Sequence, residues 1–191
     1  MKTGIFGGSF DPPHTAHIQI ALMAKEKFNL DRIIMVPTGQ PPHKETAGEI
    51  HHRYNMCKII ADKYGFEISD YEINKKTYCY SFETLEYFKE LYPDDDIYFI
   101  IGGDSMKNFG KWKNPKRIVE LCSLIVALRD AGTEKAVAEA EKTYNTKIFS
   151  LDNENIDVSS TEIRNIINGD GNAKGIEPEI LKYIAENNLY R

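Results

Sequence analysis

Short apolar runs that read as buried β-strands alternate with helical patterns along this whole chain. Such alternation is typical of α/β proteins, in which a helix returns the chain after each strand to a parallel sheet. We predict strands at 3–6, 32–37, 66–68, 96–101, 123–128 and 147–150, and helices at 14–28, 50–64, 82–91, 115–121, 134–144, 160–168 and 178–187. The expected fold is a doubly wound, Rossmann-like parallel sheet in one domain, 1–191, with a C-terminal helical subdomain at about 159–191.

Length, composition and net charge limit the kinds of protein that this chain can be. The 191 residues suit one domain, 41% of them are hydrophobic, and no apolar stretch approaches the roughly 20 residues that cross a bilayer. We therefore expect a cytoplasmic protein without a membrane segment. The net charge of −5 disfavours a nucleic-acid partner, because such binding depends on clustered Lys and Arg. The three cysteines, Cys57, Cys79 and Cys122, are too widely spaced for a disulfide framework and are expected in the core.

The segment from Gly7 to His17 has the layout of a phosphate site. Its residues, Gly-Gly-Ser-Phe-Asp-Pro-Pro-His-Thr-Ala-His, run from the first predicted strand into the first helix. The glycines remove Cβ atoms where a ligand would approach the backbone, and the helix N-terminus offers free N–H groups. His14 and His17 share one helix face, where the dipole opposes their protonation unless an anion lies against them. The alternatives are that one histidine caps or packs locally while the other is exposed, or that the two bind a metal, for which no third ligand stands at suitable spacing nearby.

A second segment, 158–164, opens a late helix with the residues Val-Ser-Ser-Thr-Glu-Ile-Arg. Ser159 and Glu162 form a capping box, which accounts for those two residues structurally. Arg164 is not explained in this way, because a cation in the first two helical turns faces the positive end of the dipole. Hydroxyls, free N–H groups and a guanidinium at one helix end again indicate a phosphate ligand.

Two further segments come after predicted strands, where ligands bind in doubly wound sheets. Gly102-Gly103-Asp104-Ser105 ends a central strand, and Asp104 is placed to bind a ribose, with a simple turn as the equal alternative. Trp112, the only tryptophan, has two lysine neighbours, a setting that suits a partly exposed ring for stacking. The loop at 37–44 is expected to cover the mouth of the site, with Lys44 either reaching a phosphate or solvated.

Together these segments resemble the nucleotidyltransferase superfamily, whose members carry Gly-x-Phe-Asp-Pro-x-His-x-Gly-His near the N-terminus and Ser-Ser/Thr-x-x-x-Arg near the C-terminus. Within it the chain is similar to the bacterial nicotinate mononucleotide adenylyltransferases. That likeness rests on the Pro-Thr-x-x-Pro-Pro-His-Lys loop at 37–44, the Gly-x-Asp-Ser strand end at 102–105 with Trp112 downstream, and the Ser-Ser-Thr-x-Ile-Arg helix start at 159–164. These motifs occur in order over essentially the whole chain.

The resemblance implies an adenylyl transfer. In that reaction the 5′-phosphate of nicotinate mononucleotide attacks the α-phosphorus of ATP, which gives deamido-NAD and pyrophosphate. The implied partners are these two small molecules. Mg²⁺ would enter bound to the ATP phosphates, without ligands from the protein. Assembly into a homo-oligomer is left open. Catalysis of this kind depends mostly on positioning and on neutralisation of charge.

The resemblance also implies site residues. Those implied to be catalytic, through contacts to the ATP phosphates, are His14, His17 and Arg164. Those implied to bind ATP are Gly7, Ser9, Phe10, His14, Ala16, His17, Gly102, Asp104, Ser160, Thr161 and Arg164. Those implied to bind the mononucleotide are Gly8, Lys44, Ser81, Asp104, Trp112 and Lys113. Among these, Trp112 would stack on the nicotinate ring and Ser81 would bond to its carboxylate.

Three residues depart from the family pattern. Ala16 replaces a glycine that packs against adenosine, which predicts weaker ATP binding or a slight shift. Ser81 replaces a threonine and is expected to discriminate acid from amide less rigidly, while Lys113 stands where an aromatic residue is common. The competing hypotheses are an adenylyltransferase for phosphopantetheine or for nicotinamide mononucleotide and, in another class, a catalytically silent nucleotide-binding module. The intact histidines, Asp104 and Arg164 argue against the silent module.

Overall fold

Strands and helices alternate in the computed structural model, which describes residues 1–40, 48–152, 158–169, 171 and 173–191. The elements are β1 (Lys2–Gly8), α1 (Thr15–Phe28), β2 (Arg32–Pro37), α2 (Ile50–Tyr64), β3 (Glu67–Ile68), α3 (Ser81–Leu91), β4 (Asp96–Gly102), α4 (Gly103–Lys107), a 3₁₀ turn (Phe109–Lys111), α5 (Pro115–Leu121), β5 (Ser123–Leu128), α6 (Ala131–Tyr144), β6 (Ile148–Asp152), α7 (Ser160–Asn168) and α8 (Pro178–Glu186). In the described part of the chain, no helix is long and apolar enough to span a membrane.

The strands form one parallel sheet in the order β3-β2-β1-β4-β5-β6. The strand β1 lies at the centre, where Ile5 pairs with Ile34 on one side and with Phe99 on the other. The strands β2 and β3 therefore follow on one side of β1, and β4, β5 and β6 follow on its other side. This reversal of strand order leaves a crevice between the carboxyl ends of β1 and β4. The predicted doubly wound, single-domain α/β fold is confirmed.

Side chains that alternate along each strand supply two separate cores. Phe6 and Ile100 pack in the core on one face of the sheet, whereas their neighbours Ile5 and Phe99 pack in the core on the other. This is the burial expected of a sheet covered by helices on both faces. Ile163 and Ile180, from α7 and α8, belong to the first of these cores. The separation of residues 159–191 as a subdomain stays a prediction.

Some boundaries near the glycines differ from the predictions. The strand β1 continues through Gly7 and Gly8, since Gly8 still pairs with Pro37. Neither α4 nor the 3₁₀ turn is among the predicted elements, because Gly102-Gly103 reads as a turn although the helix begins at Gly103. Two glycines at a boundary signal a change of direction, but they do not reveal which element comes next.

The cysteines lie where composition predicts. Cys57 and Cys79 are buried and Cys122 is half-buried, and all three are free thiols. Burial raises the pKa of each of these thiols, so they stay protonated and unreactive at neutral pH. They act as small core side chains.

Candidate functional site

A cavity of about 690 Å³ opens at the crevice between the carboxyl ends of β1 and β4. Its volume lies within the range of small-molecule sites, roughly 300 to 1,000 Å³. Of the predicted site residues, those that line it are Gly7, Gly8, Ser9, Ser81, Asp104, Trp112 and Lys113. The other described ones, His14, His17 and Arg164 among them, lie outside its lining. The site therefore has a cavity end and a polar end, which the loop between β1 and α1 joins.

The glycines at the strand ends keep the crevice open. A Cβ at Gly7 would lie 3.2 Å from the Phe99 ring, and one at Gly8 would lie 3.0 Å from the Phe10 ring. At Gly102 a Cβ would meet no protein atom within 4 Å. Gly102 thus borders free space at the point where β4 ends, as a position that a ligand approaches would.

The two histidines meet at the start of α1. His14 is the N-cap residue, and its backbone N–H donates to His17 Nδ1 at 3.2 Å. The two imidazole centroids lie 3.8 Å apart, and the Phe10 ring packs edge-on against His17 at 5.0 Å. Phe10 has a φ of +46°, a left-handed conformation that is strained for a phenylalanine and typical of functional turns. This turn directs the chain from β1 into the loop that carries both rings.

His14 is held neutral. It is 5% exposed, and burial, followed by the charge of Arg129, lowers its pKa from 6.5 to about 4. The direction agrees with the sequence analysis, although burial is the main cause here. Among the described residues, His14 Nδ1 has no hydrogen-bond partner, which is rare for a buried polar atom outside functional sites. An anion near this ring would favour the protonated form.

The late motif folds back onto the same loop. The capping box of Ser159 and Glu162 is confirmed. Ser160 Oγ donates to the Pro12 carbonyl at 3.0 Å, and Arg164 Nη1 donates to the Asp11 carbonyl at 2.6 Å. Two motifs about 150 positions apart are therefore joined, and the Arg164 guanidinium and the Ser160 hydroxyl contact the loop that carries His14. Such a set of donors suits an anionic oxygen.

Arg129 is a site residue that the sequence analysis missed. It comes directly after β5, forms a 3.2 Å ion pair with Asp104, and places its charge near His14. The ion pair occupies the carboxylate that was predicted to bind a ribose, although Asp104 remains 73% exposed. The signal was present in the sequence: Arg129 directly follows a predicted strand, and residues after strands are the ones to inspect for ligand contacts.

The cavity end has an aromatic wall. Trp112 is half-buried and packs against Phe99 and Phe109, with ring centroids 6.4 and 5.5 Å away. One part of the ring borders the cavity, so the predicted partly exposed setting is correct. Ser81 is the first residue of α3, and Lys113 is exposed at the rim. An aromatic surface with hydroxyl and ammonium groups beside it suits a flat ring that carries a negative substituent.

A buried charged network supports the opposite wall, and the sequence analysis missed it. Glu72 accepts hydrogen bonds from Thr84 Oγ1 at 2.7 Å and from the Gly39 N–H at 3.3 Å, and burial raises the pKa of this carboxyl. Arg53 donates to the carbonyls of Ser9 at 2.8 Å, Gly39 at 3.1 Å and Gly48 at 3.3 Å. The strand ends of β1 and β2 are thereby tied together. Arg53 lies on the same helical face as the buried apolar residues of α2. An arginine on an apolar helix face is the one feature of the sequence that could have indicated this network.

Several further residues are not part of the described cavity lining. Lys44 lies outside the described residues. Ala16 is buried, at 6% exposure, so its methyl group packs within the protein. Glu49, His51 and His52 form a cluster of potential metal ligands at the first turn of α2. There His52 Nδ1 already bonds to Tyr183 at 2.9 Å, and the helix dipole disfavours a cation.

Comparisons with known proteins agree with this geometry. A sequence model described as cytidylyltransferase-like matches residues 5–166. A probable nicotinate-nucleotide adenylyltransferase of Clostridium acetobutylicum is 43% identical over 99% of this chain and 98% of its own length, and one of Clostridium novyi is 39% identical over 100% and 99%. Plasmodium falciparum nicotinic acid mononucleotide adenylyltransferase complexed with NaAD superimposes with a TM-score of 0.80 at 25% identity, over 100% of this chain and 98% of that one.

Proposed function

The chain belongs to the cytidylyltransferase-like family and, within it, to the nicotinate-nucleotide adenylyltransferases, and from this membership we propose that it transfers the adenylyl group of ATP to nicotinate mononucleotide in NAD biosynthesis. A phosphate oxygen of the mononucleotide forms a bond to the α-phosphorus of ATP, and the bond from that phosphorus to the β-phosphate bridging oxygen breaks. The products are deamido-NAD and pyrophosphate. The observation that carries the proposal is the two-ended site, in which anion donors adjoin an aromatic-walled cavity at the strand switch point.

At the polar end the protein neutralises and positions phosphate oxygens. His17 is held by the His14 backbone, and Arg164 by the Asp11 carbonyl, so both side chains are oriented before a substrate arrives. Thr161 adds a hydroxyl donor at the first turn of α7, where the Ser160 hydroxyl is held by the Pro12 carbonyl, and Arg129 adds a further cation. Negative charge develops on the leaving pyrophosphate in the transition state. Donors that already point toward it lower the activation free energy, because they need no reorganisation during the reaction.

At the cavity end the mononucleotide is recognised. Trp112 offers a face for the nicotinate ring, and Ser81 at the start of α3 offers a hydroxyl and a helix N-terminus for its carboxylate. Gly8 and Ser9 line the passage between the two ends, where the 5′-phosphate would lie. Asp104 would bind a ribose, with Arg129 released to the phosphates when it does so.

A divalent cation is typical of nucleotidyltransferases, and we assign Mg²⁺ that enters on the ATP phosphates. The donors at the polar end are imidazole, guanidinium and hydroxyl groups, which suit phosphate oxygens better than Mg²⁺. Bound to the triphosphate, Mg²⁺ would withdraw negative charge from it. His14, His17 and Arg164 then contact the oxygens that remain.

The test is pyrophosphate release from Mg·ATP, with nicotinate mononucleotide, nicotinamide mononucleotide and phosphopantetheine offered separately. We expect turnover with nicotinate mononucleotide at a kcat/KM at least about ten-fold above that with the amide, since a lost charged hydrogen bond has about that effect. Equal use of both mononucleotides would keep the reaction and reject the role of Ser81. Turnover with phosphopantetheine alone, or none at all, would reject the proposed function.

Location and assembly are also proposals. A cytoplasmic site of action is supported by three free thiols, since unpaired cysteines are typical of reducing compartments. Small molecules are the proposed partners, and the net charge of −5 supports the absence of nucleic acid. Assembly into a homo-oligomer stays open to a measurement of mass in solution.

A further inference from the structure

The end of the chain reaches back to the loop between β1 and α1. Tyr190, the penultimate residue, donates its hydroxyl to Asp11 Oδ1 at 2.7 Å, and the same oxygen accepts the Gly48 N–H at 2.9 Å. Asp11 is 3% exposed. A buried carboxyl oxygen that accepts hydrogen bonds from two distant parts of the chain is held in place by both of them. The C-terminus thus takes part in fixing a residue of the site.

Asp11 in turn holds the groups that face the phosphates. Its carbonyl accepts the 2.6 Å bond from Arg164 Nη1, and its second carboxylate oxygen lies 3.9 Å from the same nitrogen. The next residue, Pro12, accepts the bond from Ser160, and the N-cap residue His14 comes two residues later. A shift of Asp11 would therefore displace the Arg164 guanidinium and the start of α1 together.

The conformation of Tyr190 is specified by its surroundings. The residue has a φ of +62°, in the left-handed region that few non-glycine residues adopt. Its ring is half-buried against the core on the α1 face of the sheet. Burial and the adjacent Asp11 raise the pKa of the hydroxyl well above its usual value, so the group remains a donor at all relevant pH values. A strained backbone conformation persists only where the surrounding contacts require it.

Other contacts already anchor the last helix. Tyr183 Oη bonds to His52 and Asn55 of α2, and Lys63 of α2 pairs with Glu177 and Glu179 at the start of α8. These contacts involve no residue of the loop between β1 and α1. The anchoring of α8 therefore does not depend on the bond from Tyr190 to Asp11 alone, and this bond is the contact of Tyr190 that reaches the site loop.

We propose that Tyr190 is a positioning residue for adenylyl transfer: through Asp11 its hydroxyl sets the place of the Arg164 guanidinium and of the loop that carries His14. The inference rests on the proposed function. Charge develops on the leaving pyrophosphate in the transition state, and Arg164 is the group placed to meet it. Loss of the Tyr190 hydroxyl therefore lowers kcat and weakens ATP binding, while the cavity that receives the mononucleotide is unaffected.

The experiment compares Tyr190→Phe with Tyr183→Phe, which removes a hydroxyl from the same end of the chain without touching the loop. For Tyr190→Phe we expect a kcat about ten-fold lower, or about 1.4 kcal/mol in the barrier, and a KM for nicotinate mononucleotide within about two-fold of the wild type. Tyr183→Phe should keep the wild-type kcat. Equal kcat values for Tyr190→Phe and the wild type, or equal losses in the two variants, would overturn the inference.

A double-mutant cycle with Asp11→Asn separates positioning from general destabilisation. If Tyr190 acts through Asp11, adding Tyr190→Phe to Asp11→Asn lowers kcat by less than about two-fold more. Losses that multiply would show that Tyr190 acts by another route and would reject the inference. The melting temperature of each variant, and kcat per folded molecule, keep the comparison valid where a variant is less stable.

Binding of Mg·ATP to the same variants gives a readout that needs no turnover. Calorimetric titration should show about three-fold weaker binding or worse for Tyr190→Phe, and wild-type binding for Tyr183→Phe, because only the former loosens Arg164. If the wild type does not turn over nicotinate mononucleotide, the proposed function fails while this titration still decides the role of Tyr190. Unchanged ATP binding together with an unchanged kcat would contradict it.

Discussion

Two buried carboxylates lie at opposite edges of the same sheet. At the amino edge, just before β4, Asp95 accepts hydrogen bonds from Thr3 at 2.6 Å, Arg32 at 2.9 Å and the N-terminal ammonium group at 3.1 Å. At the carboxyl edge Asp11 accepts bonds from Gly48 and Tyr190, and its carbonyl binds Arg164. The same residue types, a carboxylate and an arginine, therefore occur at both ends.

The two arrangements differ in what the arginine does next. The Arg32 guanidinium bonds to Thr3 and Asp95 and stacks over the Tyr92 ring at 3.8 Å, so it is fully used within the protein. The Arg164 guanidinium bonds to the Asp11 carbonyl and the Thr161 hydroxyl, with the Asp11 carboxylate 3.9 Å away. In a parallel sheet the carboxyl edge is the one that binds ligands. One pair of residue types thus stabilises the fold at one edge and prepares a site at the other.

The largest effect is expected from His17→Ala, at the carboxyl edge. Loss of an oriented donor to the phosphates should lower kcat about 10²- to 10³-fold, as removal of a transition-state donor does. Pyrophosphate release measures it, and circular dichroism checks the fold. The matched control is His51→Ala, whose side chain is 58% exposed at the surface. A His17→Ala enzyme with more than a tenth of the wild-type kcat would remove His17 from the mechanism.

Arginine-to-lysine changes at the two edges sharpen the comparison. Arg164→Lys should lower kcat/KM about 10- to 100-fold, because a point charge replaces a planar fork at the phosphates. Arg32→Lys should leave kcat/KM unchanged and lower the melting temperature, since its guanidinium contacts Thr3, Asp95, Glu67 and the Tyr92 ring at the amino edge. Steady-state kinetics give kcat/KM for both variants, and thermal unfolding gives both melting temperatures. The comparison fails if Arg32→Lys loses as much activity as Arg164→Lys.

Within the site, Trp112→Ala tests the division between cavity end and polar end. Loss of the stacking face should raise the KM for nicotinate mononucleotide about ten-fold, since stacking on one base contributes roughly 1–3 kcal/mol. Trp112→Phe keeps a ring and should raise this KM by less. The KM for ATP serves as the internal control and should stay within about two-fold. Equal increases in both KM values would mean that the two ends are not independent.

At the amino edge Asp95→Asn should change stability and leave kcat unchanged. Its bond from Thr3, then those from the N-terminus and Arg32, lower the pKa of Asp95 from 3.8 to about 2. The ionised group therefore stabilises the fold above about pH 4, and this contribution is lost as the pH falls toward 2. We expect a melting temperature lower by about 3 to 6 °C at pH 7, and a weaker pH dependence between 4 and 2.

Thermal unfolding of Asp95→Asn across that pH range measures both effects, with the exposed neighbour Asp94→Asn as the control. An unchanged melting temperature at pH 7 would show that Asp95 contributes no stability. A lower kcat at full folding would show that the amino edge also acts on the site, and the contrast between the edges would not hold.

Contiguous features were the ones that the sequence analysis found. The segment from Gly7 to His17 and the start of α7 each lie in one stretch, so glycines, caps and helix N-termini are visible as local patterns. Arg53, Glu72 and Tyr190 were missed because their roles depend on burial and on partners far along the chain. Arg129 was visible as a residue after a strand but carried no motif of its own.

The sequence by itself determined the α/β class, the parallel sheet, the two helix starts that have the layout of a phosphate site and the free cysteines, because periodicity, capping and strand-end chemistry act over a few residues. Only the tertiary structure decided three contacts. Arg164 donates a hydrogen bond to the Asp11 carbonyl, Arg129 pairs with Asp104, and Tyr190 donates a hydrogen bond to the Asp11 carboxylate. The physical reason is that a contact between residues far apart in the chain, such as Arg164 or Tyr190 with Asp11, has no local signature. It exists only after the sheet has brought the carboxyl ends of its strands together.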